Sequence, residues 1–371
     1  MNKRAFLVIL FLTLIPLIKY WYLFSTPTNM QYYADLYANS QYVLGEASPH
    51  KIDDNEVYIY AGYTYARSDD PTLVNFEHTP LAKYLLGFSY FLTGNSVLLN
   101  IPMYFFILFL FYILASRFIK NKNIIYGLLV LFGSQKLFYF NVSQGMLDLP
   151  NLFSTLLFFV ILTSKQKNIL IKYSLLGISL GIFAGTRYPF PSIILLIAPL
   201  IIWAFIKKEL KYLLFSFIGL AGTYFSMYIM YFKNHSLSEW PKFEWYRFIF
   251  FAGNRSMPKF LIFQTIFLGK FKAWWSDGWQ YIATWTILWP IAFIGSIIAT
   301  YKNKFTLSNS MILIFTFGLI SFYAIAAASY DRFLISIIPY WALVLGIGLD
   351  NLSSKSNIFA EIASSLKKKK L

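Results

Sequence analysis

Long apolar runs set the strongest constraint on this chain. Ala5 to Tyr20, Val97 to Ser116 and Trp279 to Ile298 are apolar almost without interruption, and each approaches the ~20 residues with which a helix crosses a bilayer. In hydrocarbon the backbone polar groups must be satisfied within the protein, which leaves helices and closed barrels. A barrel is encoded by short alternating segments, whereas these runs are continuous. The expected fold class is an all-α polytopic membrane protein. Composition agrees, with 58% hydrophobic and 13% charged residues against roughly 25% charged in a soluble domain.

Ten spans are expected, at 5–24, 97–116, 124–140, 151–164, 173–186, 188–206, 212–232, 280–300, 309–328 and 333–349, with 81–94 as a candidate extra helix. Trp21 to Thr26 is not a small-residue cleavage site, so the first span is expected to be retained. The cations then fall on one side: Lys3 and Arg4, Arg117, Lys120 and Lys122, Lys165, Lys167 and Lys172, Lys207, Lys208 and Lys211, Lys302 and Lys304, and Lys367 to Lys370. The positive-inside bias makes that side cytoplasmic, with both termini inside. Of the sixteen acids, only Glu209, Asp350 and Glu361 share it. The net charge of +16 therefore serves topology and anionic headgroups rather than nucleic acid. The absence of cysteine excludes disulfides, thiolate nucleophiles and thiolate metal sites. One domain is expected over 1–371, with a first outer loop at 25–96, a second at 233–279 and a basic cytoplasmic tail at 350–371.

The outer face holds the residues suited to chemistry. Asp35 follows the first span in a segment, 31–44, whose spacing fits an amphipathic helix lying on the membrane. Thr79-Pro80 is a good helix start. It places Glu77 and His78 just before a helix N-terminus, where anions bind, and Lys83 one turn in. Asp148 stands at the mouth of a span, where an ionisable group is costly and tends to be functional. Arg187 and Arg332 sit at outer span ends, at the depth of a lipid phosphate. Structural alternatives stand beside each: a solvated Asp35, a helix-terminal Asp148, and arginines that snorkel to headgroups. In the second loop, Trp240, Trp245, Arg247, Arg255, Trp274, Trp275 and Trp279 suit sugar stacking or interfacial anchoring equally.

In this setting His78-Thr79-Pro80-Leu81-Ala82-Lys83 resembles the His-Pro-Pro-Leu-Gly-Lys run of the GT-C glycosyltransferases. The protein O-mannosyltransferases and the lipid A aminoarabinose transferases are the most similar branches. Phe76-Glu77 is similar to the Phe-Glu before the paired prolines of the aminoarabinose branch. Ser143 to Asp148 resembles the second outer acidic position, Gly177 to Arg187 the small-residue helix with a basic end, and Tyr330 to Pro339 the Arg-Tyr-Leu and Pro signature. Thr79 replaces a proline, Ala82 a glycine, and Leu36 the glutamate of the Asp-Glu pair. The resemblance implies a GT-C-like bundle of about ten transmembrane helices, with interfacial helices in the first outer loop. It also implies inverting transfer of a sugar from a polyprenyl-phosphate donor to a lipid, glycan or protein hydroxyl on the outer face of a cell membrane.

For that reaction Asp35 and Asp148 are the candidate catalytic carboxylates, with Asp35 first as base. Lys83, Arg187 and Arg332 are the candidate phosphate ligands. Glu77 and His78 are candidates to lie near substrate or a divalent cation. No cofactor is required by the sequence, and a divalent cation stays an open option. Two other readings exist: a glycolipid transporter or flippase, which would carry repeated halves and mid-bilayer charge, and a non-catalytic assembly protein retaining the fold.

Overall fold

The computed structural model describes residues 2–187, 190–253, 258–272, 278–302, 306–326 and 330–368. Arg255, Trp274, Trp275, Lys304, Lys369 and Lys370, named above, lie outside the described residues.

In chain order a unit of three helices follows α1 (Lys3–Lys19). It consists of α2 (Met30–Ala38), α3 (Asp54–Ala66) and α4 (Leu81–Thr93). The bundle continues with α5 (Asn100–Phe118), α6 (Lys122–Gly133), α7 (Lys136–Val142), α8 (Asp148–Leu162), α9 (Ile169–Thr186), α10 (Phe190–Ile206) and α11 (Leu213–Ser226). The next segment holds α12 (Trp240–Gly253), α13 (Leu261–Leu268) and a hairpin of β1 (Lys270–Lys272) and β2 (Trp279–Tyr281). The chain closes with α14 (Leu288–Lys302), α15 (Leu307–Ile325) and α16 (Ile338–Lys368).

Among the described residues, α5, α9 and α15 are each long and apolar enough to cross a membrane, and α6 with α7, bent by 61° at their break, has the geometry of a broken span or a re-entrant loop. Shorter apolar helices complete the bundle. Two expected spans begin later than hydropathy suggests. Residues 279–281 form β2 rather than the start of a helix, and α14 begins at Leu288. The expected span at 333 opens with a 3-10 turn, Asp331–Ser336, and α16 starts at Ile338. Apolar content cannot tell a span from the aromatic strand or turn leading into it.

One apolar core runs through the bundle, from Ile9 and Leu12 in α1 to Trp341 and Ile347 in α16. Close helix crossings fix its shape. A Cβ on Gly87 would lie 2.0 Å from the Gly62 carbonyl oxygen, so α3 and α4 touch backbone to backbone. Small residues let helices approach in this way where no hydrophobic force drives them together in lipid. At the bend between α6 and α7, the Gln135 Nε2 donates to the Leu131 carbonyl at 3.0 Å, and its Oε1 accepts from the Trp289 indole at 2.7 Å. On the face assigned to the cytoplasm, the Asp350 carboxylate accepts from the Lys120 and Asn121 N–H groups at 3.0 Å each. This ties the α5–α6 turn to α16.

Candidate active site

Asp148 is the first residue of α8 and Arg187 ends α9. A carboxylate at a helix N-terminus and a guanidinium at a C-terminus each sit where the helix dipole favours them. The two side chains form an ion pair, and that of Asp148 is only 2% exposed. A second pair lies close by. Asp54, the first residue of α3, accepts from Arg332 Nη2 at 2.5 Å, while Arg332 Nη1 reaches Met146 Sδ at 3.6 Å. The Phe333 ring joins the pairs, with the Arg187 guanidinium 4.5 Å and the Arg332 guanidinium 5.8 Å from its centroid. Such guanidinium–ring contacts are attractive, and more so away from water.

Asp331 completes the acidic side. Its carboxylate accepts from Thr284 Oγ1 at 2.6 Å and from the Arg332 N–H at 2.9 Å. Burial pushes the Asp331 carboxyl above the usual aspartate range, against these two hydrogen bonds. Asp54 goes the other way. Burial alone would raise it, but the charge and hydrogen bond of Arg332, helped by Arg187, hold it below its ordinary value. Burial and the arginine charges thus move two carboxyls of this cluster in opposite directions. The Nε of Arg332 is buried without a hydrogen-bond partner, an unused donor beside a site rich in charge.

The structure brings Asp148, Arg187 and Arg332 to one rim. His78 reaches its edge, with its ring 5.7 Å from that of Tyr58 in an edge-on contact, and Tyr58 feels the charges of Asp54, Arg332 and Arg187. Glu77 acts on Tyr42, which also feels Asp54 and Arg332. Among the described residues no group of three or more His, Cys, Asp or Glu is arranged to hold a metal ion.

Two sequence-derived candidates sit elsewhere. Asp35 is exposed, and its carboxylate accepts from Gln31 Nε2 at 2.9 Å. On α2 the half-buried face is Tyr33, Leu36 and Tyr37, and Asp35 lies about 200° around the helix from Tyr33. Lys83 is fully buried. Its Nζ lies within hydrogen-bond distance of the Asn75 carbonyl (2.7 Å), Asn75 Oδ1 (3.1 Å), the His78 carbonyl (2.7 Å) and the Tyr65 hydroxyl (3.2 Å), one more acceptor than its three protons can serve separately. With four oxygen neighbours and no exposure, it holds the loop before α4 instead of facing a ligand. Thr79 is likewise not the expected N-cap. The cap residue is Pro80, and the Thr79 hydroxyl donates to the Arg187 carbonyl at 2.8 Å.

Asp54 is the acidic residue that sequence reading passed over. The signal was present: Asp53 and Glu56 form a capping box around the start of α3. That pattern announces a helix N-terminus from sequence alone and puts Asp54 in its first turn.

Two solved structures share this architecture. ArnT from Cupriavidus metallidurans bound to undecaprenyl phosphate matches 85% of this chain with a TM-score of 0.58 at 15% identity, and the apo state of ArnT matches 85% with 0.57 at 14%. The chain has the fold of these ArnT structures. The chain spans 59% and 58% of the length of those two structures. No family model matches it, and neither does any curated protein. The apolar helices, long enough among the described residues to cross a membrane, agree with that polytopic membrane fold.

Proposed function

We propose that this chain is an inverting glycosyltransferase that takes a sugar from a polyprenyl-phosphate carrier. The convergence of Arg187 and Arg332 on Phe333, each paired with a carboxylate from a helix N-terminus, carries this reading. The ArnT fold supports it, because one of those structures holds undecaprenyl phosphate.

The acceptor hydroxyl oxygen attacks the anomeric carbon as the bond from that carbon to the phosphate oxygen breaks. The phosphate leaves with the electron pair, and the acceptor proton passes to a carboxylate. Phosphate is already a good leaving group, so the main demand is for fixed positive charge where negative charge grows. Arg187 and Arg332 meet that demand. Guanidinium presents donors in a fork suited to phosphate. Asp54, held ionised and one-third exposed, is the proposed base in place of Asp35. Asp148 orients Arg187 and the sugar hydroxyls. The positive-inside pattern supports an extracytoplasmic rim, and the proposed acceptor there is a hydroxyl of lipid, glycan or protein.

The test uses purified protein in nanodiscs. Undecaprenyl phosphate binding is measured by native mass spectrometry, and turnover with undecaprenyl-phosphate hexoses and pentoses. Arg187→Gln and Arg332→Gln should each lose about 10²- to 10³-fold in turnover, the scale of removing one charge-stabilising donor. Asp54→Asn should lose about 10²- to 10⁴-fold, as for a positioned base, and Asp35→Asn should stay near wild type. Both arginine variants binding and turning over normally would overturn the assignment. Normal turnover in Asp54→Asn, or collapse in a folded Asp35→Asn, would return the base to Asp35.

A further inference from the structure

Thr79 stands where the resembling families carry proline, and the structure gives its hydroxyl a specific task. It is fully buried and donates to the main-chain carbonyl of Arg187 at 2.8 Å, across 108 residues of sequence. Arg187 has left the helix: its φ of −150° and ψ of −179° are extended, so the α9 ladder no longer sets its direction. A proline at position 79 has no hydroxyl to offer.

The donor side of this bond is itself held firmly. The Tyr65 hydroxyl donates to the Val74 carbonyl, and Lys83 donates to the carbonyls of Asn75 and His78. Pro80 follows with a fixed φ. Residues 74–80 thus form a strap anchored at Val74, Asn75, His78 and Thr79, of which Thr79 is the one bonded to the end of α9. On the far side, the Arg187 side chain runs to Asp148 and over Phe333.

We propose that Thr79 is a positioning residue for Arg187: its hydroxyl fixes the main chain from which the guanidinium reaches Asp148 and the donor phosphate. This rests on the reading of Arg187 as a phosphate ligand. The hydroxyl does not touch substrate. Its effect comes through the aim of Arg187, where a misplacement of about 1 Å can cost 10²-fold.

The experiment is a double-mutant cycle read by undecaprenyl phosphate binding in native mass spectrometry, with no turnover required. Thr79→Val keeps the shape and removes the donor. It should weaken binding about tenfold, and Thr79→Ser should restore it to within about twofold. In an Arg187→Gln background, Thr79→Val should have almost no further effect, because contacting or coupled residues are non-additive. A purely structural role for Thr79 would persist in that background, and additive losses overturn the proposal, as does wild-type binding by Thr79→Val. If Thr79→Val is not monodisperse, Thr79→Ala, smaller and equally without the donor, takes its place in the cycle. Arg187→Gln binding as tightly as wild type would instead sink the phosphate reading of the site, an outcome distinct from failure of the Thr79 inference.

Discussion

Replacing Gly87 by alanine probes the α3–α4 crossing that holds Asp54 and Thr79 in relation to each other. The new Cβ would sit 2.0 Å from the Gly62 carbonyl oxygen and 2.8 Å from the Ala66 Cβ. The obstructing group is main chain, so no rotamer change relieves it, and the helices must part by about 1 Å before the contact reaches 3.0 Å. Adding a methyl to a packed interface costs about 1–3 kcal/mol, and the helix propensity gained over glycine offsets up to about 1 kcal/mol of that. A net loss of about 1–2 kcal/mol follows, too little to unfold a well-packed bundle. The same 1 Å opens the angle between α3, which begins at Asp54, and α4, which follows the Thr79 strap. Turnover should therefore fall by about 10²-fold while the protein stays folded. Monodispersity and apparent Tm in detergent, beside sugar transfer from a polyprenyl-phosphate donor, read the two effects separately. Gly87→Ala with wild-type turnover and Tm would refute the idea that this contact sets the site.

Two further outcomes follow from buried charge. Burial raises the Asp331 carboxyl above its ordinary 3.8. A carboxyl raised in the folded state stabilises folding while protonated, fully so below its unfolded pKa, and that contribution is lost as pH rises through the folded value. Asp331→Asn cannot ionise, so its apparent Tm should gain on wild type as pH rises from about 4 to neutral; parallel pH curves would count against it. Arg247 is fully buried and bonded to Glu244, the Tyr224 hydroxyl (2.5 Å) and the Tyr228 hydroxyl (2.6 Å). Arg247→Met strands the Glu244 carboxylate and should cost about 3–5 kcal/mol, with Arg247→Met/Glu244→Gln recovering part of it. Thermal unfolding checks both, and a silent Arg247→Met would mean the pair carries no load.

Much of the bundle was legible because lipid imposes one rule on every span, and hydropathy reports that rule directly. The closeness of Asp148, Arg187 and Arg332 follows from a related rule: a charge at a span end has few places to go. Asp35 misled because nearness to a span says nothing about phase, and on α2 the aromatic residues claimed the inward face. Lys83 misled because its spacing from Pro80 fits a ligand-facing turn, while the sequence does not reveal that Asn75, Tyr65 and His78 enclose its ammonium. Thr79 looked like a cap or a blemish in a motif. Its partner lies 108 residues away, a distance over which no local pattern speaks.

The bend between α6 and α7 carries a consequence for how the molecule can move. Its exposed polar groups are met by Gln135, and Gln135 in turn is gripped by Trp289 of α14. The elbow is thus tied by a side-chain hydrogen bond to the closing helices. Beyond it the chain runs directly to Met146, whose sulfur meets Arg332 in the turn between α15 and α16. Any tilt of the closing helices would reach the rim by two routes at once, so the rim and its scaffold should shift together or stay still together.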